Sequence, residues 1–211
     1  MCDTMIIAPD WIWLHIPKTG GTTTEHLLRQ AFGHDPAVRF DAVGPGNPVI
    51  WHHDLEQRHA SDPAFAPGGR RVVGNIRRLP HWLLSRIHFE VGRFGNKAMV
   101  SRRRVLEGCF RDVPRQGGMP GPVRSADATI APFARAVTEW VRAEHLIEDL
   151  SRVFRADLQA VPRDTALNRG AIAYIRELSF WFTPGELAGI YARNPVWAGI
   201  ERAVYGDVLQ L

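Results

Sequence analysis

Trp11-Ile-Trp-Leu-His-Ile-Pro-Lys-Thr-Gly-Gly-Thr-Thr-Thr24 is the stretch on which the reading of the fold turns. Its first part, Trp11 to His15, is a short aromatic and β-branched run between Pro9-Asp10 and Pro17, the pattern of a buried strand. Glu25-His-Leu-Leu-Arg-Gln-Ala-Phe32 follows with apolar residues at helical spacing. The threonines offer an N-cap, Glu25 a capping-box partner and Gly33 a C-terminal stop. Strand, glycine-containing turn and helix thus succeed one another within about 25 residues.

Further along, Pro48-Val-Ile-Trp-His-His53 is a second strand candidate that runs into two histidines and Asp54. Arg70-Arg-Val-Val-Gly-Asn-Ile76 is a third, reached through Ala66-Pro-Gly-Gly69. Pro80 suits the first turn of a helix over about Pro80–Phe89, which carries Trp82, Leu83, Leu84 and Ile87. Strands alternating with helices predict a layered α/β domain with a central parallel sheet flanked by helices. Residues 92–130 are rich in Gly, Pro and Arg, without period apart from a short helix near 102–110, and read as a long mobile excursion. Beyond it, Val137–Val141 is a strand and Leu146–Phe154 a helix. The C-terminal third reads as helical: 169–181, a helix start at Thr183-Pro-Gly-Glu186, and 196–209. There is no internal repeat, and residues 1–211 read as one domain.

Composition narrows the classes. A hydrophobic share of 45% and a charged share of 23% fit a globular chain, not a disordered or fibrous one. No apolar run reaches the roughly 18 residues needed to span a bilayer. Asp3 and Asp10 interrupt the N-terminus, which has no signal-peptide pattern. Cys2 and Cys109 are too few for a disulfide framework, which points to a reducing, cytoplasmic setting. The net charge of +4 is unevenly spread: residues 70–124 hold 13 Lys and Arg against three acids, a local excess of +10. That basic middle predicts an anionic ligand.

The loop between the first strand and helix has the chemistry for one. Glycines let a backbone approach an anion closely, and the N–H groups at a helix N-terminus favour negative charge. Pro17, Gly20 and Gly21 shape the turn, Lys18 adds a point charge, and Thr19, Thr22 and Thr23 add hydroxyls. The spacing differs from G-x-x-x-x-G-K-[ST], so this is not a Walker A loop. Of the two histidines, either can serve as a general base toward a hydroxyl. Neighbours on a strand point to opposite faces and no Cys or third His has ligand spacing, so no metal is expected.

Trp13-Leu-His-Ile-Pro-Lys-Thr-Gly-Gly-Thr-Thr23 closely resembles the 5′-phosphosulfate loop of sulfotransferases, especially carbohydrate sulfotransferases of the heparan sulfate type. Those enzymes take a sulfuryl group from 3′-phosphoadenosine 5′-phosphosulfate (PAPS) and release 3′-phosphoadenosine 5′-phosphate. The resemblance implies a P-loop-like three-layer fold, with Lys18 on the bridging and sulfuryl oxygens and Thr19 to Thr23 on the 5′-phosphate. The family's second signature is a strand, an arginine and, eight residues on, a helical serine, both on the 3′-phosphate. Val72-Val-Gly-Asn-Ile-Arg-Arg-Leu-Pro-His-Trp-Leu-Leu-Ser85 supplies Arg77 and Ser85. It departs from the usual pattern in having Arg78 for an acid, Leu79 for a proline and Trp82 for a second arginine. The family's base is a histidine after the strand following the donor loop: His52 if the pattern is apolar-His-x-Asp, His53 if it is Gly-His. Glu139–Leu150, Leu167-Asn-Arg-Gly170 and Phe182-Thr-Pro-Gly-Glu186 resemble the family's later elements, with Arg169 as a candidate to close over the nucleotide.

The expected activity is in-line sulfuryl transfer to an acceptor hydroxyl, on a saccharide or small metabolite, without a metal, a membrane span or a nucleic-acid partner. Positioning and charge stabilisation would dominate. Two other classes share features. A P-loop-like kinase or nucleotide hydrolase would use the same strand–loop–helix, but it would need a Walker lysine and an acid for magnesium. A non-catalytic nucleic-acid-binding module would use residues 70–124, but that stretch has no interleaved aromatics.

Overall fold

The computed structural model describes residues 3–42, 52–94, 102–111, 123–158 and 174–211. They fall into two compact units, one formed by Met1–Ile76 with Pro132–Asn168, the other by Arg77–Ala131 with Arg169–Leu211.

In the first unit, strand β1 (Asp3–Ile7) turns through Ala8-Pro9-Asp10 into β2 (Trp11–Leu14). The Ala8 N–H donates to the Trp11 carbonyl at 2.9 Å, closing a short connection that can only join antiparallel strands. Helix α1 (Gly21–Phe32), strand β3 (Arg39–Ala42), helix α2 (Leu55–Ser61) and strand β4 (Arg71–Ile76) follow. Strand β7 (Glu139–Arg142) completes the sheet in the order β3-β1-β2-β4-β7. The pairs β2–β4 and β4–β7 are parallel, whereas β1 is antiparallel to both β2 and β3.

The sheet is therefore mixed rather than parallel throughout, and the correction comes from a hairpin hidden ahead of β2. Pro9-Asp10 marks the turn of that hairpin as well as the start of β2. A second correction concerns α1, which begins four residues before Glu25, at Gly21, with Gly20 as its N-cap and no side-chain cap. Of the strand proposed over 48–53, residues 48–51 lie outside the described part. His52 and His53 sit in a turn and a coil, not in a strand.

The core of this unit packs α1 and α6 (Leu146–Phe154) on one face of the sheet. Trp11 and Trp13, two residues apart in β2 and so on one face, meet Leu27 and Leu28 of α1 and Leu150, Val153 and Phe154 of α6. Trp11 sits edge-on to Phe32 at 5.6 Å and to Phe154 at 4.6 Å between ring centroids. Full burial of such side chains stabilises by roughly 1.5–3 kcal/mol each.

The second unit opens with α3 (Leu79–Phe94), which starts one residue earlier and ends five residues later than the sequence predicts, and α4 (Arg102–Leu106). The expected short helix near 102–110 therefore stops at Leu106. A turn at Gly108 leads to β5 (Cys109–Arg111), which pairs antiparallel with β6 (Val123–Ser125). The described ends of the 92–130 excursion are thus a helix and a two-stranded ribbon; 95–101 and 112–122 lie outside the described residues. Helix α5 (Ala126–Ala134) follows β6 directly. Residues 169–173, and with them Arg169, also lie outside the described part. Within 174–181 only α7 (Leu178–Trp181) is helical.

Helix α8 (Pro184–Ala192) begins where Thr183 and Glu186 announce it, with both hydrogen bonds of a capping box formed. Helix α9 (Pro195–Tyr205) is held at its start by Asp127, whose carboxylate accepts from the Val196 and Trp197 N–H groups at 2.9 and 2.8 Å. Trp82 and Trp197 pack with their rings 4.7 Å apart in the core of this unit.

Candidate functional site

The loop joining β2 to α1 depends on two left-handed backbones and one close approach. Lys18 lies in the left-handed region at φ 64°, and Gly20 lies there at φ 92°. A non-glycine residue in that region costs on the order of 1–2 kcal/mol, so Lys18 is held there by its surroundings. Gly21 is required for a different reason: a Cβ at that position would collide with the imidazole of His15. The first i→i−4 bond of α1 is Thr24 N–H to Gly20 carbonyl, 3.0 Å. The N–H groups of Gly21, Thr22 and Thr23 thus precede the helical ladder, at the positive end of a 12-residue helix with no acid in its first turn.

The threonines divide by burial. Thr19 is fully buried, and its hydroxyl donates to the Ile16 carbonyl at 2.9 Å. It closes the loop, and any contact it makes with an anion falls to its backbone. Thr22 and Thr23 are half-buried on the first turn of α1, and Pro17 is buried behind Lys18.

Asn75 holds this loop against the sheet. It is fully buried in β4 and accepts from the Trp13 indole at 2.9 Å. Its amide group donates to the Thr24 hydroxyl at 2.6 Å and to the Thr19 carbonyl at 3.3 Å. A second support comes from β7. The Asp149 carboxylate accepts from the backbone N–H and both ends of the guanidinium of Arg142, each at 2.8 Å. Burial raises the Asp149 carboxyl, but the hydrogen bonds and charge of Arg142 outweigh it and hold the group below its ordinary value. That clamp fixes the turn from Arg142 to Leu146, where Ala143 and Leu146 back onto Gly20.

His52 is tied to the same loop. Its Nδ1 lies 2.9 Å from the His15 carbonyl oxygen, and the two imidazoles meet edge to face at 4.7 Å. A carbonyl can only accept, so the Nδ1 of His52 carries a proton, and in the neutral imidazole the lone pair is then on Nε2. The left-handed backbone of His52, φ 73°, turns the chain into α2, where Asp54 forms a capping box with Gln57. His53 is 6% exposed, and its Nδ1 is buried without a hydrogen-bond partner among the described residues. The structure thus brings Lys18, the three threonines, the two glycines and His52 around one loop.

Arg77 and Ser85 belong to the other unit. The Arg77 carbonyl accepts from the Trp197 indole at 2.9 Å, while among the described residues its guanidinium meets no acceptor. Arg78 is the opposite case. Its guanidinium meets Glu201 at 3.2 Å and Asp207 at 2.7 Å and lies 4.0 Å over the Tyr205 ring. Burial opposes its charge, but Asp207 and Glu201 raise its pKa above the ordinary value. Glu201, with no exposed surface, also accepts from the Leu79 N–H at 2.7 Å and the Tyr191 hydroxyl at 2.9 Å. Its burial pushes its pKa up to about 7 despite those donors. The departure at Arg78 therefore has a structural explanation: it anchors the start of α3 through Glu201. Ser85 is half-buried on α3, two turns after Arg77 in sequence.

Sequence reasoning missed His15 and Asn75. His15 looks like the end of a strand, and nothing in the sequence says that its ring needs Gly21 and its carbonyl holds His52. Asn75 carried a legible signal, a polar side chain in an otherwise apolar run of a central strand. Among the described residues no group of three or more His, Cys, Asp or Glu could hold a metal, and no helix is long and apolar enough to cross a membrane. No family model, curated protein or solved structure matches the chain.

Proposed function

We propose that the protein transfers a sulfuryl group from PAPS to an acceptor hydroxyl. The observation that carries this reading is the tether of His52 to the His15 carbonyl, three residues ahead of Lys18. It sets a histidine whose neutral tautomer has its lone pair on Nε2 beside a cationic, glycine-bearing loop at a helix N-terminus, the arrangement of a general base next to an anion cradle. The strained backbone of Lys18 and the threonines of the first turn support the same reading, since strain held at a ligand loop is a common mark of function. PAPS supplies an activated sulfuryl group whose leaving group is a phosphate.

Lys18 would meet negative charge as it grows on the leaving oxygen. The backbone N–H groups of Gly21, Thr22 and Thr23, with the Thr22 and Thr23 hydroxyls, would hold the 5′-phosphate. The Nε2 of His52 would take the acceptor's proton, its orientation fixed by the Nδ1 bond. The sequence pattern assigns Arg77 and Ser85 to the 3′-phosphate, and the contrast between Arg77 and the fully engaged Arg78 supports that choice.

Calorimetric titration with adenosine 3′,5′-bisphosphate, beside ATP with magnesium, tests the reading. Bisphosphate binding that is at least about tenfold tighter than ATP, together with transfer of labelled sulfate from PAPS to a hydroxyl acceptor, is expected. Equal or tighter binding of ATP would favour a kinase or hydrolase, and retention on nucleic acid at moderate salt without nucleotide binding would favour a binding module.

A further inference from the structure

A groove of about 500 Å³ lies between α4 and α8, wholly within the second unit and sharing no residue with the proposed donor site. Its charges do not balance. Arg102 pairs with Glu186 at 2.8 Å and Arg103 with Glu107 at 3.0 Å. Both oxygens of Glu186 are occupied, since the second accepts from the Thr183 N–H in the capping box of α8. Arg193 is the third guanidinium on the groove and among the described residues meets no carboxylate. One of its nitrogens donates to the Leu106 carbonyl at 3.0 Å, which aims the fork but leaves its charge uncompensated among the described residues.

The floor has the opposite character. Gly185 and Gly189, four residues apart on α8, line it together with Leu106. A Cβ at Gly185 would meet nothing within 4 Å, so the space over the helix there is open. Glycine is a poor helix former, and at Gly189, in the middle of a nine-residue helix, a Cβ would lie 3.2 Å from Nη1 of Arg193, so the missing side chain lets that guanidinium lie close against the helix. A narrow apolar floor under a fixed, uncompensated guanidinium suits a ligand with an apolar body and one negative head. A guanidinium fork matches a carboxylate or a sulfate equally well.

We propose that this groove binds a small amphiphilic monoanion, its carboxylate or sulfate head on Arg193 beside Gly189 and its short apolar body over Gly185 and Leu106. The test is titration of the whole chain with hexanoate and hexyl sulfate, with hexanol and inorganic sulfate alongside, followed by NMR of the backbone amides. Either amphiphile should perturb amides of 102–107 and 185–193, and the tighter of the two identifies the head. Arg193→Gln should weaken that binding at least about tenfold, the effect of losing a charge-assisted hydrogen bond. Gly185→Leu should abolish it while leaving the circular dichroism spectrum and melting midpoint in place. Failure of both amphiphiles to perturb these amides would overturn the proposal, as would binding that survives both substitutions. Hexanol or inorganic sulfate binding as tightly as the amphiphiles would overturn it too, by removing the need for the head or for the body.

Discussion

The imidazole of His52 donates its Nδ1 proton to the carbonyl oxygen of His15, 2.9 Å away and 37 residues earlier in the chain. Both histidines then act on the loop between them and Lys18. The carbonyl of His15 fixes His52, and its ring lies where only a glycine at position 21 leaves room. The tautomer of His52 follows from this contact alone.

His52→Ala should lower kcat for sulfuryl transfer by about 10²–10⁴-fold, the range for loss of a positioned general base. Affinity for adenosine 3′,5′-bisphosphate should change little, because the base serves the acceptor. His53→Ala should keep most of the activity. A His53→Ala variant that loses kcat as His52→Ala was expected to, with the His52 variant active, would reverse the assignment.

Lys18 combines the charge proposed to meet the leaving group with an unfavourable backbone at φ 64°. Lys18→Gly should reduce kcat by roughly 10²–10³-fold, comparable to deleting one preorganised donor from an anionic transition state. It should also melt no lower than the wild type, since glycine adopts the left-handed region freely and that gain offsets its greater unfolded-state entropy. A large drop in the melting midpoint would mean that the contacts of the lysine side chain contribute more to the loop than relief of its left-handed backbone does.

The elements that were legible in the sequence are those whose signals are local. Strand β2 shows in one aromatic run, α6 in its apolar spacing from Leu146 to Phe154, and the start of α8 in the Thr183–Glu186 pair. Strand β3, Arg-Phe-Asp-Ala, is four residues with no run of apolar side chains, and it exists because β1 offers it an edge. The outer antiparallel strand was hidden for that reason, whereas β1 carries an apolar run, Met5-Ile-Ile7, ahead of the Pro9-Asp10 turn. At the site, Lys18 and the glycines could be read from their spacing. The partners that position them could not: Asn75 reaches Thr24 and Thr19 across more than 50 residues, and His15 reaches His52 across 37. Such contacts depend on which strands become neighbours, and spacing along the chain does not encode that.

Asn75→Leu should destabilise the protein by about 2–4 kcal/mol in urea unfolding. The change strands the Trp13 indole N–H and the Thr19 carbonyl in a fully buried place, and each orphaned group costs roughly 1–3 kcal/mol. Because Thr24 and Thr19 flank the loop, the same variant should also bind adenosine 3′,5′-bisphosphate more weakly. A variant with normal affinity would show that the loop keeps its shape without this anchor.

Arg77 and Arg78 are adjacent, yet their substitutions should give opposite phenotypes. Arg77→Ala should leave the melting midpoint near that of the wild type and reduce bisphosphate affinity at least about tenfold, as loss of a charge-assisted pair with a phosphate requires. Arg78→Ala removes the partner of a fully buried Glu201, and breaking such a pair costs about 3–5 kcal/mol. Its signature is a lower melting midpoint. Unchanged bisphosphate affinity in Arg77→Ala would remove Arg77 from the donor site.

Glu201 makes the stability of this chain depend on pH in an unusual sense. Most buried carboxylates lose stability as acid protonates them, but burial raises this one to about 7 from an ordinary value of 4.5. Between those values the folded chain holds a proton that the unfolded chain has released. Stability from this group is therefore complete below about pH 4.5, falls as pH rises through the interval and levels off above about 7. The full change is on the order of 3 kcal/mol by linkage. Glu201→Gln has the shape of the protonated acid and cannot titrate. The difference in unfolding free energy between wild type and Glu201→Gln, measured from pH 4.5 to 8, should therefore move steadily in favour of the glutamine variant and stop moving near pH 7. A difference that stayed constant across that range would mean that Arg78, Tyr191 and the Leu79 N–H keep Glu201 ionised throughout, and the charge would then be a permanent part of the anchor for α3.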